Sequence, residues 1–100
     1  MMWLVWTACA NGTAAPPRAG GDAEAGRLVY STTCTACHNA DPSLPGPIGP
    51  EVKGASRALL EARVLHGKYP DGYTPKRDTA LMQPLPQLAT SIDDLEAYLR

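Results

Sequence analysis

Apolar residues recur at helical spacing in three separate stretches of this 100-residue chain. In the first, Ala25, Leu28 and Val29 follow Asp22, a residue suited to an N-cap, and Glu24 lies in the first turn, where a negative charge is favourable. The pattern predicts a helix running from Asp22 towards Cys34 with those three apolar residues inward. In the second, Leu59, Leu60 and Val64 share a face, Ser56 precedes them as a cap, and Gly67 follows as a C′ stop. In the third, Ile92, Leu95 and Leu99 repeat at i, i+3 and i+7. Ser91 is placed to cap this helix, and Asp94 stands where a capping box carries Glu or Gln. Residues 34–54 hold Pro42, Pro45, Pro47 and Pro50, and residues 68–88 hold four further prolines, so both stretches are read as loops. No stretch alternates with period two and no internal repeat is present. The expected domain, residues 22–100, is therefore all-α: three main helices joined by long Pro/Gly-rich loops.

Composition adds a difficulty to that picture. A domain of this size gains only marginal stability from its own side chains, and small domains commonly carry an added staple. From Asp22 onward there is no Trp and no Phe, and only Tyr30, Tyr69, Tyr73 and Tyr98 are aromatic. With ten prolines and nine glycines in the chain, so few large side chains imply a hollow core unless a large apolar cofactor fills it. Charge is nearly balanced, nine basic against ten acidic residues, with no basic stripe, which excludes nucleic acid as a natural partner.

The missing staple has a candidate at residues 34–38, "CTACH", where three of the chain's five cysteines and histidines sit together. C-x-x-C-H is the attachment signature of c-type haem. Two thiols three residues apart on one helical turn project to the same side and reach the two vinyl groups along one porphyrin edge. The adjacent histidine places an imidazole under the iron as proximal ligand. Two other chemistries use part of the pattern. A redox dithiol couple needs a strand-rich βαβ context, which the chain does not show. A structural zinc site needs four ligands, and beyond Cys34, Cys37 and His38 only His66 or Cys9 remains.

Around that motif the chain resembles the small class I cytochromes c, over Asp22 to Arg100 and in motif order. "CTACH" is followed by "GPEVKG" at 49–54, similar to the family's Gly-Pro-x-Leu-x-Gly segment, and then by "LMQPLP" at 81–86, similar to its distal-methionine loop. Gly26 and Tyr30 on the first helix, set against Leu95 and Tyr98 on the last, match the pair of positions at which the family's terminal helices cross closely. The resemblance implies one covalent haem c on Cys34 and Cys37, with the helices and loops wrapped around it. It implies His38 and Met82 as axial iron ligands, and a Pro50 carbonyl that accepts from His38 Nδ1–H, fixing its tautomer. The family's Trp near the haem propionates is absent, and Tyr73, Lys76 and Arg77 are the candidates for that work. Gln83 follows Met82 where many relatives have Pro. His66, beside the Gly67 stop, is the rival to Met82 and is otherwise a histidine placed favourably at a helix C-terminus.

With both axial positions taken, the expected function is one-electron transfer by a carrier, not an enzyme, between redox partner proteins such as a dehydrogenase or an oxidase. With no strong steering charge, encounter would rest on an apolar rim at the haem edge. Two alternatives stand: a haem enzyme or gas sensor in which Met82 leaves the iron, with Tyr69 or Tyr73 as polar distal groups, and a C-x-x-C dithiol oxidoreductase.

In the family, attachment to C-x-x-C-H occurs outside the bacterial cytoplasm, so the domain is expected on the periplasmic side. Residues 1–10 are apolar, too short to span a bilayer and without a basic n-region, the pattern of a leader whose true start lies upstream. Residues 11–21 read as a flexible Ala/Gly/Pro tether. "VWTAC" is similar to a bacterial lipobox, with Trp6 where Leu is usual. Cys9 is thus either the lipid-anchored N-terminus, the sole expected membrane contact, or part of a leader that is removed.

Overall fold

The computed structural model describes residues 21–78 and 81–100, and among these there are helices and loops but no strand. The leader, Cys9 and the tether up to Gly20 lie outside the described residues. Helix α1 spans Ala23–Thr33 and starts as the polar pattern dictates: Asp22 is extended, and its side chain accepts from the N–H groups of Glu24 and Ala25. Its buried positions are Gly26 and Tyr30, with Ala25 and Val29 half-buried. Leu28, expected inward, is instead 53% exposed. At 3.6 residues per turn it lies about 200° round from both Gly26 and Tyr30, and those two residues set the face that packs.

Helix α2 is short, Arg57–Leu60, and continues as a π-helical turn, Glu61–Leu65. Ser56 Oγ accepts from Leu59 N–H at 3.1 Å, the expected cap. Gly67 ends the segment at φ +65°, a left-handed conformation that glycine adopts without steric cost. Helix α3 spans Ile92–Leu99, with Ile92, Leu95 and Leu99 all buried on its expected stripe. The capping box expected at Ser91 does not form. Ser91 already closes a 3-10 helix, Pro86–Ser91, and at φ −105°, ψ −1° it lacks the extended backbone of a cap. Asp94 is used elsewhere: its Oδ1 accepts from Asp22 N–H at 2.8 Å, tying α3 to the start of α1.

Helices α1 and α3 cross where the bare Cα of Gly26 meets α3. A Cβ at this position would lie 2.9 Å from Tyr98 Cβ and would strike the Asp94 carbonyl. One turn along, the Tyr30 and Tyr98 rings pack at 5.6 Å, tilted 47°. Tyr30 sits in one buried cluster with Leu60, Val64, Ile92, Leu95 and Leu99. These six are the whole of the buried apolar core among the described residues. The remaining interior is a cavity, bounded by the two loops that the prolines mark. Among the described residues no helix is long and apolar enough to cross a membrane.

Candidate functional site

Cys34 is the C-cap of α1, and the chain turns once more after it, closing with His38 N–H donating to the Cys34 carbonyl at 2.9 Å. This turn sets Cys34, Cys37 and His38 along one wall of a cavity of about 610 Å³. The loop that follows folds back beneath them. Gly49 N–H and Ile48 N–H both donate to the Cys37 carbonyl, at 2.8 and 3.2 Å, and Val52 and Lys53 N–H donate to the Pro42 carbonyl. The His38 ring consequently rests on Gly49, which is buried: a Cβ there would fall 2.5 Å from Nδ1 and 2.8 Å from Nε2. Glycine is required by this approach, not by backbone conformation.

His38 Nδ1 lies 2.8 Å from the Pro50 carbonyl oxygen. A carbonyl accepts and never donates, so Nδ1 carries a proton, and in the neutral ring it is Nε2 that has the lone pair. The ring is held in the tautomer that leaves Nε2 able to ligate a metal.

Met82 approaches from the other loop. It is half-buried against the core and lines the same cavity, although 44 residues separate it from His38 in sequence. His66, its rival, is exposed and is not among the residues lining the cavity. Tyr73, Lys76 and Arg77 all line it. Lys76 Nζ donates to the Glu51 carbonyl at 3.1 Å and pairs with the Glu51 carboxylate at 3.5 Å, and Arg77 Nη2 donates to the Gly46 carbonyl at 2.9 Å. These two cations join the loop they occupy to the loop that carries Pro50.

Of the lining residues that sequence reasoning passed over, three bear on the site. Arg63 is one; its guanidinium lies 4.2 Å over the Tyr69 ring, which stacks on Tyr73 at 5.5 Å, and it donates to the Gly67 carbonyl. The signal was present, since Arg63 follows Leu59 by four residues and Leu60 by three and so shares their face. The other two are Ile48 and Leu81, 39% and 64% exposed, which line the cavity while facing solvent. They sit in loops, where no periodicity marks a lining position.

Burial, with a smaller contribution from neighbouring Cys37, pushes the Cys34 thiol up to about 11. Reactive dithiols have thiols lowered by positive surroundings, and this environment does the reverse. Among the described residues no three His, Cys, Asp or Glu side chains gather to hold a metal ion by themselves. The arrangement instead sets one imidazole, His38, one thioether, Met82, and the two thiols of Cys34 and Cys37 on one apolar-walled cavity. No family model matches this chain, and no curated protein matches it.

Proposed function

We propose that this chain is a one-electron carrier of the class I cytochrome c type, holding one haem c through thioether bonds at Cys34 and Cys37. His38 and Met82 would hold its iron. The observation that carries the reading is the convergence of these four side chains on one cavity of about 610 Å³. That volume falls within the range of about 300–1,000 Å³ common for small-molecule and cofactor sites. The donor set fits as well. One imidazole with a free Nε2 and one thioether are the pair of donors that would complete the coordination of an iron already held by a porphyrin. Held by these residues, haem c would supply reversible gain and loss of one electron.

The chain's own residues do the remaining work. Pro50 holds the proton on His38 Nδ1 and raises the basicity of Nε2. Gly49 admits the imidazole. The apolar walls from Val52, Leu60, Val64, Leu85, Leu95 and Leu99 keep water from the cavity. Tyr73, Lys76 and Arg77 are the groups assigned to the carboxylate edge of the cofactor. Ile48 and Leu81 form the exposed apolar rim where a redox partner, a dehydrogenase or an oxidase, would dock. The domain acts on the periplasmic side of a bacterial membrane, either anchored through a lipid on Cys9 or free after leader removal. The mass of the native N-terminus separates these.

Protein produced with haem-attachment machinery is expected to retain haem through denaturation and acid–acetone extraction. Cys34→Ser and Cys37→Ser should each leave at most one thioether and lower the yield of holoprotein. Haem that washes out of the unfolded wild-type chain would overturn the assignment.

A further inference from the structure

A helix that ends at a left-handed glycine commonly closes with two bonds, from C′ N–H to the C2 carbonyl and from C″ N–H to the C3 carbonyl. With Gly67 at C′, those acceptors are Val64 and Arg63. Relative to that pair the observed closure is slipped by one residue: Gly67 N–H donates to Arg63 at 3.2 Å, which is also the single bond of the simpler αL closure, and Lys68 N–H reaches back to Ala62 at 2.8 Å. The slip is the end of the π-helical turn Glu61–Leu65, whose wider bonding moves each acceptor back by one position. The Val64 carbonyl is thereby released from the helix, although Val64 itself is buried and its carbonyl needs a partner. It finds one in the other loop, where Leu85 N–H donates to it at 2.5 Å. A second contact lies beside the first. Gly67 faces Pro84, and a Cβ on Gly67 would sit 3.1 Å from Pro84 Cγ, tighter than an ordinary contact.

We infer that the slipped closure of the second helix is the clamp that positions Met82: the Val64 carbonyl grips Leu85 N–H, and Gly67 provides the space for Pro84. Both gripped residues lie within three positions of Met82, on the stretch that brings this residue to the cavity. Val64, Gly67, Pro84 and Leu85 are thus positioning residues, which act on the cofactor through Met82. The inference rests on the proposed role of Met82 as iron ligand and names what holds that ligand in place.

The test uses matured holoprotein and Gly67→Asn, because Asn tolerates the left-handed backbone while adding a Cβ against Pro84. Cyanide binding to the ferric form is expected to accelerate about tenfold, the size of one hydrogen bond's net contribution. Amide exchange at Leu85 should accelerate alongside it. Pro84→Ala, at an exposed position, supplies a second variant that removes the ring from the contact and should move both readouts in the same direction. His66→Ala, one residue away and exposed, should move neither. A His–Met wild type whose cyanide rate and Leu85 exchange are unchanged in Gly67→Asn and Pro84→Ala overturns the clamp alone. A wild type with covalent haem but no His–Met spectrum overturns the role of Met82 and the clamp together.

Discussion

Met82 and His66 are separated by their surroundings more than by their chemistry. Met82 lines the cavity that His38 also lines, whereas His66 faces solvent at the end of the π-turn. Met82→Ala is therefore expected to abolish the weak red charge-transfer band of ferric His–Met haem, lower the reduction potential and open the iron to cyanide. His66→Ala should leave all three unchanged, and optical titration checks both variants. Tyr30 supplies a second residue-level prediction. Its hydroxyl donates to the Asn39 carbonyl at 2.5 Å, and burial, ahead of the nearby Cys34, Tyr98 and Asp41, pushes its phenol up to about 12. An unfolded tyrosine titrates near 10, so above about that pH the unfolded chain holds fewer protons than the folded one. The contribution is present in full below pH about 10 and is lost as pH rises through about 12, on the order of 2 kcal/mol. Chemical denaturation across that window should show the loss in wild type and a flatter profile in Tyr30→Phe.

At the scale of elements, the crossing of α1 and α3 rests on the absence of one Cβ. Gly26→Val adds side-chain volume against the Asp94 backbone and Tyr98 Cβ, neither of which can move as a flexible side chain does. It is expected to cost about 1–3 kcal/mol by overpacking. Thermal melting of the holoprotein measures this, and an unchanged midpoint would detach Gly26 from the crossing. The same crossing explains two differences from the sequence expectation. Leu28 is exposed because α1 packs through the Gly26–Tyr30 face, and Asp94 bonds to Asp22 N–H because the crossing brings the start of α1 beside α3. Side-chain periodicity predicts that a helix has an inward face. It does not rank an apolar leucine below a glycine when close approach of two backbones is what the partner helix requires.

Across the whole molecule, five of the six apolar residues buried among the described residues (Tyr30, Leu60, Val64, Leu95 and Leu99) line a cavity of about 610 Å³, the space that the proposed haem would fill. Without the proposed haem, the two Pro-rich loops would rest on the half-buried Val52, Met82 and Leu85, the contacts of Lys76 and Arg77 and a few backbone bonds, with the cavity between them unfilled. The chain lacking haem is accordingly expected to keep part of its helix signal but lose a cooperative melting transition, as followed by circular dichroism and calorimetry. A haem-free chain that melts sharply within about 5 °C of the holoprotein, a difference of about 1 kcal/mol for a domain of this size, would show that the polypeptide core suffices.

Where a feature depends on neighbours in the chain, the amino-acid order alone determined it. The three helices, the Asp22 and Ser56 caps, the Gly67 stop, the two Pro-broken loops and the grouping of Cys34, Cys37 and His38 all follow from bonds and spacings within a few residues. Tertiary structure alone decided the features that join distant segments. It turned α1 onto its glycine face, took Asp94 away from Ser91, slipped the second helix into a π-turn and laid Arg63 over Tyr69. It also set Met82, and not His66, on the cavity. The physical reason is that a local bond competes only with the alternatives its own segment offers. A carbonyl such as that of Val64, or a carboxylate such as that of Asp94, takes whichever donor the packed chain brings to it.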